Sequence, residues 1–280
     1  MTLHFFLKKA NSFWGRIENI TTTPRLNIVK TIYVNLRLLP LKQALHLPIY
    51  IYGKVKLACL NGSVEIKAPI KKGMITLGRW DDKFFATRKC AELFLPKGSK
   101  IIFHGTTYIG IDYSIRMGEE GILEFGNMAT LTSGVIIGVN KYVSIGEYSR
   151  IVWNTRIMDS DFHFTYNSET LEVYPNTKAI KIGAFNWIGN NTAINKGTVT
   201  SDYTIATSGS ILNKNYIKLN NNINEPMLLA GSPAIIKSKG HKRLYSQRFE
   251  KKITEYYKGE PNQRYILPKD FIDDINSVKL

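Results

Sequence analysis

From Ile182 onward an aliphatic or small residue falls at every sixth position, through Ile188, Ile194, Thr200, Ala206 and Leu212, and glycine follows the first two as Gly183 and Gly189. The same interval joins Ile109 to Ile115, and runs from Phe125 through Leu131 and Ile137 to Val143. After a shift of phase it joins Ile145, Ile151 and Ile157; Ile109, Ile137 and Ile145 are again followed by glycine. A period of six is neither the 3.6 of a helix nor the two of an ordinary strand. It fits short strands, each pointing an aliphatic side chain inward, separated by turns where glycine or asparagine tolerates unusual dihedrals. Three sides close a triangular coil, and coils stack at the interstrand spacing of about 4.8 Å around a continuous aliphatic column. A β-sandwich with evenly spaced strands competes poorly, because six consecutive positions hold one phase.

The pattern changes at both ends. Residues 25–48 predict a short amphipathic helix that stops near Pro40, then an apolar segment leading to Pro48. From Ile49 the run I-Y-I-Y-G-K-V-K-L alternates at period two, as a strand does. Over 242–258, Leu244, Phe249, Ile253 and Tyr256 share one face of a predicted helix. The expected organisation is an N-terminal helical and extended segment (1–48), a β-helix (49–236) interrupted by a long loop (158–180), and a C-terminal helical extension (237–280).

Hydrophobic residues make up 44% of the 280-residue chain and charged ones 21%, the balance of a folded protein. Lysine and arginine outnumber aspartate and glutamate by 38 to 22, a formal charge of +16, which favours anionic partners: nucleic acid, lipid headgroups or phosphorylated small molecules. The basic residues lack the aromatic-interleaved pattern of nucleic-acid modules, so nucleic acid is not expected. Cys59 and Cys90 match no metal-ligand spacing and fit a reducing compartment. No apolar run reaches membrane-spanning length, and in M-T-L-H-F-F-L-K-K the lysines follow a very short apolar stretch. The expectation is neither a signal peptide nor a membrane span, and a cytoplasmic location.

The segments K-I-G-A-F-N-W-I-G-N-N-T-A-I-N-K-G, A-T-S-G-S-I-L-N-K-N and A-G-S-P-A, between Lys181 and Ala234, resemble the C-terminal half of hexapeptide-repeat acetyltransferases. N-L-R-L-L-P-L-K-Q-A and L-P-I-Y-I-Y-G-K-V-K-L are similar to the N-terminal region of acetyltransferases encoded with surface-polysaccharide genes. The resemblance implies an all-β, left-handed parallel β-helix with short flanking helices. It also implies a homotrimer with active sites between subunits, acetyl-coenzyme A as acyl donor without a metal, and a glycan hydroxyl as acceptor.

The family's catalytic histidine lies on a loop that interrupts the repeat, and His163 is the one histidine between Ile157 and Ile182. A sugar hydroxyl is a poor nucleophile, and imidazole, which ordinarily titrates near neutrality, suits the task of taking its proton. Asp161 is expected to orient the imidazole, with Asp159 and Glu172 as competitors; Asp159 and Tyr166 are also candidates for the acceptor site. By the resemblance, the Asn190 amide receives the developing oxyanion. The Ser208 amide holds the pantetheine arm, Trp187 lines the site, and Lys214, Lys237 and Lys239 meet the cofactor phosphates. Two departures stand out: Ile235 replaces the usual basic residue, and Asn215–Pro226 is longer than in the family.

Three other readings compete. A metal enzyme on this fold needs converging histidines, whereas His4, His46, His104, His163 and His241 are scattered. An N-acetyltransferase of a nucleotide-linked amino sugar is the nearest alternative, although residues 1–48 are short for a nucleotide-sugar domain. A non-catalytic binding module is the third. The basic charge further implies peripheral association with anionic membrane, where lipid-linked glycan precursors sit.

Overall fold

A computed structural model describes residues 23–79, 90–260 and 262–275. The opening M-T-L-H-F-F-L-K-K lies outside these residues. The chain forms two compact units, Met1–His241 and Lys242–Leu280.

The first unit is a triangular left-handed parallel β-helix. Among the described residues its first face has nine strands, from Ile49–Ile51 to Ala234–Lys239, and its second has seven, from Val55–Leu60 to Ile211–Leu212. The third has five, from Ser63–Ile66 to Ile180–Ile182, and is carried further by single parallel bridges from Lys181 to Val199 and from Val199 to Asn215. All paired neighbours on the faces are parallel except the last pair, where Ala234–Lys239 turns back antiparallel on Met227–Gly231.

The six-residue interval is the step from one face to the next. Ile151, Ile188, Ala206 and Leu229 stack in register on the first face, and Ile137, Ile157, Ile194 and Leu212 on the second. Phe103, Phe125, Ile145 and Ile182 form the column on the third. All are buried. The shift of phase between Val143 and Ile145 has a simple origin. Both sit on the strand Tyr142–Ile145 and both point inward, so the pattern passes from one inward residue of that strand to the other. Phe125 is wholly buried and its ring stacks on Phe103 with centroids 5.3 Å apart. Phe125→Ala leaves a hole in this column and is expected to lower unfolding free energy by about 3–5 kcal/mol, read by denaturant titration.

Four of the five glycines after the aliphatic residues, Gly110, Gly146, Gly183 and Gly189, serve spacing, not unusual dihedrals; Gly138 has room for a Cβ. A Cβ at Gly146 would stand 2.5 Å from the Ala184 nitrogen, and one at Gly183 2.5 Å from the Ser201 carbonyl oxygen. The left-handed corners are instead held partly by aromatic residues: Tyr148 (φ 53°), Phe185 (φ 56°) and Tyr203 (φ 58°). Their rings stack from coil to coil at 5.2 and 4.7 Å, and this contact offsets the backbone strain.

At the start of the stack the helix Ile28–Leu38 covers the first strand. The Asn27 side chain accepts from the Lys30 amide at the N-terminus, and the chain becomes extended at Leu39, before Pro40. Asn35 is wholly buried: its Nδ2 donates to the Ile49 carbonyl at 2.7 Å and its Oδ1 accepts from the Ile49 amide at 3.1 Å. Thr31 Oγ1 accepts from the Ile51 amide at 3.0 Å, so side chains satisfy an edge that has no preceding coil among the described residues. The apolar segment that follows includes a single helical turn, Leu41–Ala44.

The second unit contains the helix Gln247–Gly259, which begins five residues later than the sequence predicts and leaves Leu244 outside it. The cause is Asp273, whose carboxylate accepts from the amides of Tyr245 and Ser246 and holds them out of helical pairing. Phe249 packs edge-on against Phe271 at 4.8 Å.

Candidate active site

The coil stack is interrupted between Arg156–Met158 on the second face and Ile180–Ile182 on the third. The inserted chain is an ordered hairpin. Its base is closed by antiparallel pairing: the Asp161 amide donates to the Asn176 carbonyl at 2.8 Å, and the Lys178 amide to the Asp159 carbonyl at 2.9 Å. Further out, Thr165–Tyr166 pairs antiparallel with Val173–Tyr174, and Asn167 Oδ1 accepts from the Glu169 and Thr170 amides in the turn.

His163 sits between base and hairpin, exposed to solvent and without a hydrogen-bond partner among the described residues. Asp161 does not support it. The Asp161 carboxylate is ion-paired with Lys196 at 2.5 Å, and Lys196 also donates to the Pro175 carbonyl at 2.7 Å. Phe162, between Asp161 and His163, has φ 63°, which breaks the extended run in which residues two apart share a side. Lys196, which sequence reading missed, therefore pins both sides of the loop base.

Asp159, the candidate for the acceptor site, is turned inward: its wholly buried carboxylate accepts from the amides of Asn140, Lys141 and Tyr142, each at 2.7 Å. These three amides form the corner of the preceding coil, so Asp159 anchors the loop's departure. Glu172, the other competitor, accepts from the Thr170 hydroxyl inside the hairpin turn. Tyr166 is exposed on the hairpin's first strand.

Asn190 and Ser208 come together at the corner between the first and second faces, on successive coils. The Asn190 amide donates to Ser208 Oγ at 3.1 Å, and the Gly209 amide to the Asn190 carbonyl at 2.8 Å. A Cβ at Gly189 would stand 2.6 Å from the Ser208 nitrogen, so glycine there lets the two backbones approach. The Asn190 amide, which the sequence resemblance assigns to an oxyanion, is thus engaged by the Ser208 hydroxyl. Trp187, two-fifths exposed, lies on the first face opposite Arg150 and Ile205 of the adjoining coils.

The three lysines sit on two different parts of the chain's last coil and edge. Lys214 follows the second-face strand Ile211–Leu212, and its carbonyl accepts from the Val199 amide. Lys237 is exposed on the antiparallel edge strand of the first face. Lys239, on the same strand, is held at 2.7 Å by Glu225, and Lys239 together with Asn220 keeps the Glu225 carboxyl below its ordinary range. Lys239 is therefore engaged by a carboxylate where the sequence reading placed a phosphate. Among the described residues, no three histidine, cysteine or acidic side chains stand together as metal ligands.

No family model matches the chain, and no curated protein sequence does. Solved structures show a likeness of fold. The polySia-specific acetyltransferase NeuO is 16% identical, with 76% of this chain and 99% of that one covered at a TM-score of 0.44. The polysialic acid O-acetyltransferase OatWY is 20% identical, with 73% and 95% covered at a TM-score of 0.32. A hexapeptide-repeat acetyltransferase of Vibrio cholerae O1 biovar eltor, complexed with acetyl coenzyme A, is 16% identical, with 51% and 71% covered at a TM-score of 0.35.

Proposed function

We propose that the protein is an acetyl-coenzyme A-dependent O-acetyltransferase acting on a hydroxyl of a bacterial surface polysaccharide or its precursor. The observation that carries this reading is the hairpin loop between Met158 and Ile180, which presents an imidazole without a hydrogen-bond partner among the described residues. In this reading His163 takes the proton of the sugar hydroxyl as its oxygen attacks the thioester carbonyl. The tetrahedral oxyanion is received by the Asn190 amide, the carbon–sulfur bond breaks, and the imidazolium returns the proton to the departing thiolate. Trp187 and the Ser208 amide flank the pantetheine arm, and Lys214 and Lys237 meet the nucleotide end.

Two separate corners bear on the assembly. The His163 loop leaves the corner between the second and third faces, whereas Asn190 and Ser208 occupy the corner between the first and second. Among the described residues no hydrogen bond or ion pair joins His163 to Asn190 or Ser208. A site containing both is built between subunits, in a homotrimer, with the loop of one protomer facing the thioester corner of its neighbour. The loop carries the surface for such a contact, since Phe162, Phe164, Tyr166, Leu171, Val173 and Tyr174 are all exposed. Light scattering on purified protein is expected to return three times the chain mass of 31.9 kDa, and Phe164→Ser with Leu171→Ser to shift it toward the monomer.

The reaction itself is tested by thiol release from acetyl-coenzyme A with a panel of capsular oligosaccharides. Release that depends on a sugar hydroxyl supports the proposal. Release only with nucleotide-linked amino sugars replaces it with N-acetylation. No release and no coenzyme A binding leaves a β-helix binding module. The expected setting is the cytoplasm, where the acyl donor is made.

A further inference from the structure

The helix Ile28–Leu38 is inverted relative to an ordinary surface helix. Its inward side carries Thr31, Val34, Asn35 and Leu38, two of them polar and hydrogen-bonded to the first strand. Its outward side carries Ile28, Val29, Ile32, Tyr33 and Leu36, all exposed, with Val29 77% exposed. At about 100° per residue these five fall within one stripe, and Lys30 and Arg37 fall together along one edge of it, Lys30 donating to the Val55 carbonyl at 2.5 Å and Arg37 to Asn61 Oδ1 at 2.8 Å. The next helical turn adds Leu41 and Leu45, also largely exposed.

The chain around this stripe is basic, with one of its cations, Lys56, paired to Glu92 of the adjoining coil at 3.1 Å. Between Thr21 and Val64 the sequence has no aspartate or glutamate, but has Arg25, Lys30, Arg37, Lys42, Lys54 and Lys56. Exposed Lys71 and Lys72 lie beside it, because the Gly73 amide donates to the Leu47 carbonyl and brings their turn against the end of the helical segment.

We infer that this end of the β-helix is a docking surface for an anionic lipid bilayer, with the helix lying in the interface plane. An apolar stripe edged by cations is the pattern that seats a helix at the headgroup boundary. A second copy of the chain fits less well, because two such faces would bring their basic edges together without an acidic counterpart. The helix lies on the surface, since among the described residues none is long and apolar enough to cross a membrane. This inference uses no part of the catalytic loop and stands apart from the acyl-transfer reading.

The test is flotation of the full chain with vesicles of phosphatidylcholine alone and of phosphatidylcholine with phosphatidylglycerol. Wild type is expected to float with the anionic vesicles only, and less as salt is raised. Val29→Ser with Leu36→Ser changes no charge and touches only exposed positions, and is expected to weaken binding about tenfold or more. Lys42→Glu is expected to weaken it through charge alone. Absence of wild-type binding overturns the inference, as does binding that the serine pair leaves unchanged. A lowered melting temperature in the pair with flotation intact marks the stripe as covered by the chain itself, and a smaller assembly in the pair with flotation intact marks it as covered by a second copy. Either result overturns the bilayer assignment.

Discussion

Replacing His163 with alanine is expected to lower acceptor-dependent release of coenzyme A thiol by about 10²- to 10⁴-fold, the contribution of one positioned general base. The protein should remain folded. His163 is exposed and has no hydrogen-bond partner among the described residues, so removing the imidazole breaks no internal hydrogen bond among them. Melting temperature and oligomeric mass are therefore expected to match wild type, which separates loss of chemistry from loss of structure. His163→Asn, similar in size but unable to act as a base, is expected to be as inactive as alanine. Equal turnover by wild type and both variants would remove the imidazole from the mechanism and return attention to other groups on the loop.

The second large effect is expected at Asp159, and it is one of stability. The carboxylate is wholly buried and accepts three backbone amides at 2.7 Å, which no other group replaces when it is removed. Hydrogen bonds to a charged acceptor are among the stronger ones, and this corner loses three of them at once. Asp159→Ala is expected to destabilise the β-helix by about 3–5 kcal/mol, measured by denaturant unfolding. Asp161→Ala provides the contrast. Its pair with Lys196 is half exposed at the carboxylate, and such pairs contribute about 0–1 kcal/mol. Its effect should be confined to a looser loop base and a modest loss of turnover. Equal stability of Asp159→Ala and wild type would show that the corner of the preceding coil holds itself without the carboxylate.

These two aspartates mark where sequence reading reached its limit. The coil architecture was legible because the hydrophobic interval is a covalent consequence of three short strands per turn: every residue from Ile182 through Leu212 placed in phase is buried. The interruption after Ile157 was legible for the same reason, since a regular repeat shows where it stops. The partners of Asp159 and Asp161 were not legible. They lie in the corner at Asn140–Tyr142 and at Lys196, far along the chain, and only the stacking of coils brings them close. The role of the repeat glycines was also misread. Their spacing was visible, but the need for close approach to the next coil, as at Gly183 against Ser201, depends on a register that no local pattern encodes. The outward apolar stripe of the first helix was hidden behind an amphipathic pattern whose inward face is the more polar one.

The separation of the His163 loop from the Asn190 and Ser208 corner carries the mechanistic consequence. One chain presents the two halves of the proposed site at different edges of the prism, so activity and assembly are expected to fall together when the exposed loop residues are changed.

The most direct test of acyl transfer is mass spectrometry of a capsular oligosaccharide panel after incubation with isotopically labelled acetyl-coenzyme A and wild-type protein, followed by mild base. The account predicts a labelled acetyl group on at least one oligosaccharide, removed by the base as an ester must be. A label that survives the base, on an amino sugar only, or no label together with no coenzyme A binding, would contradict it.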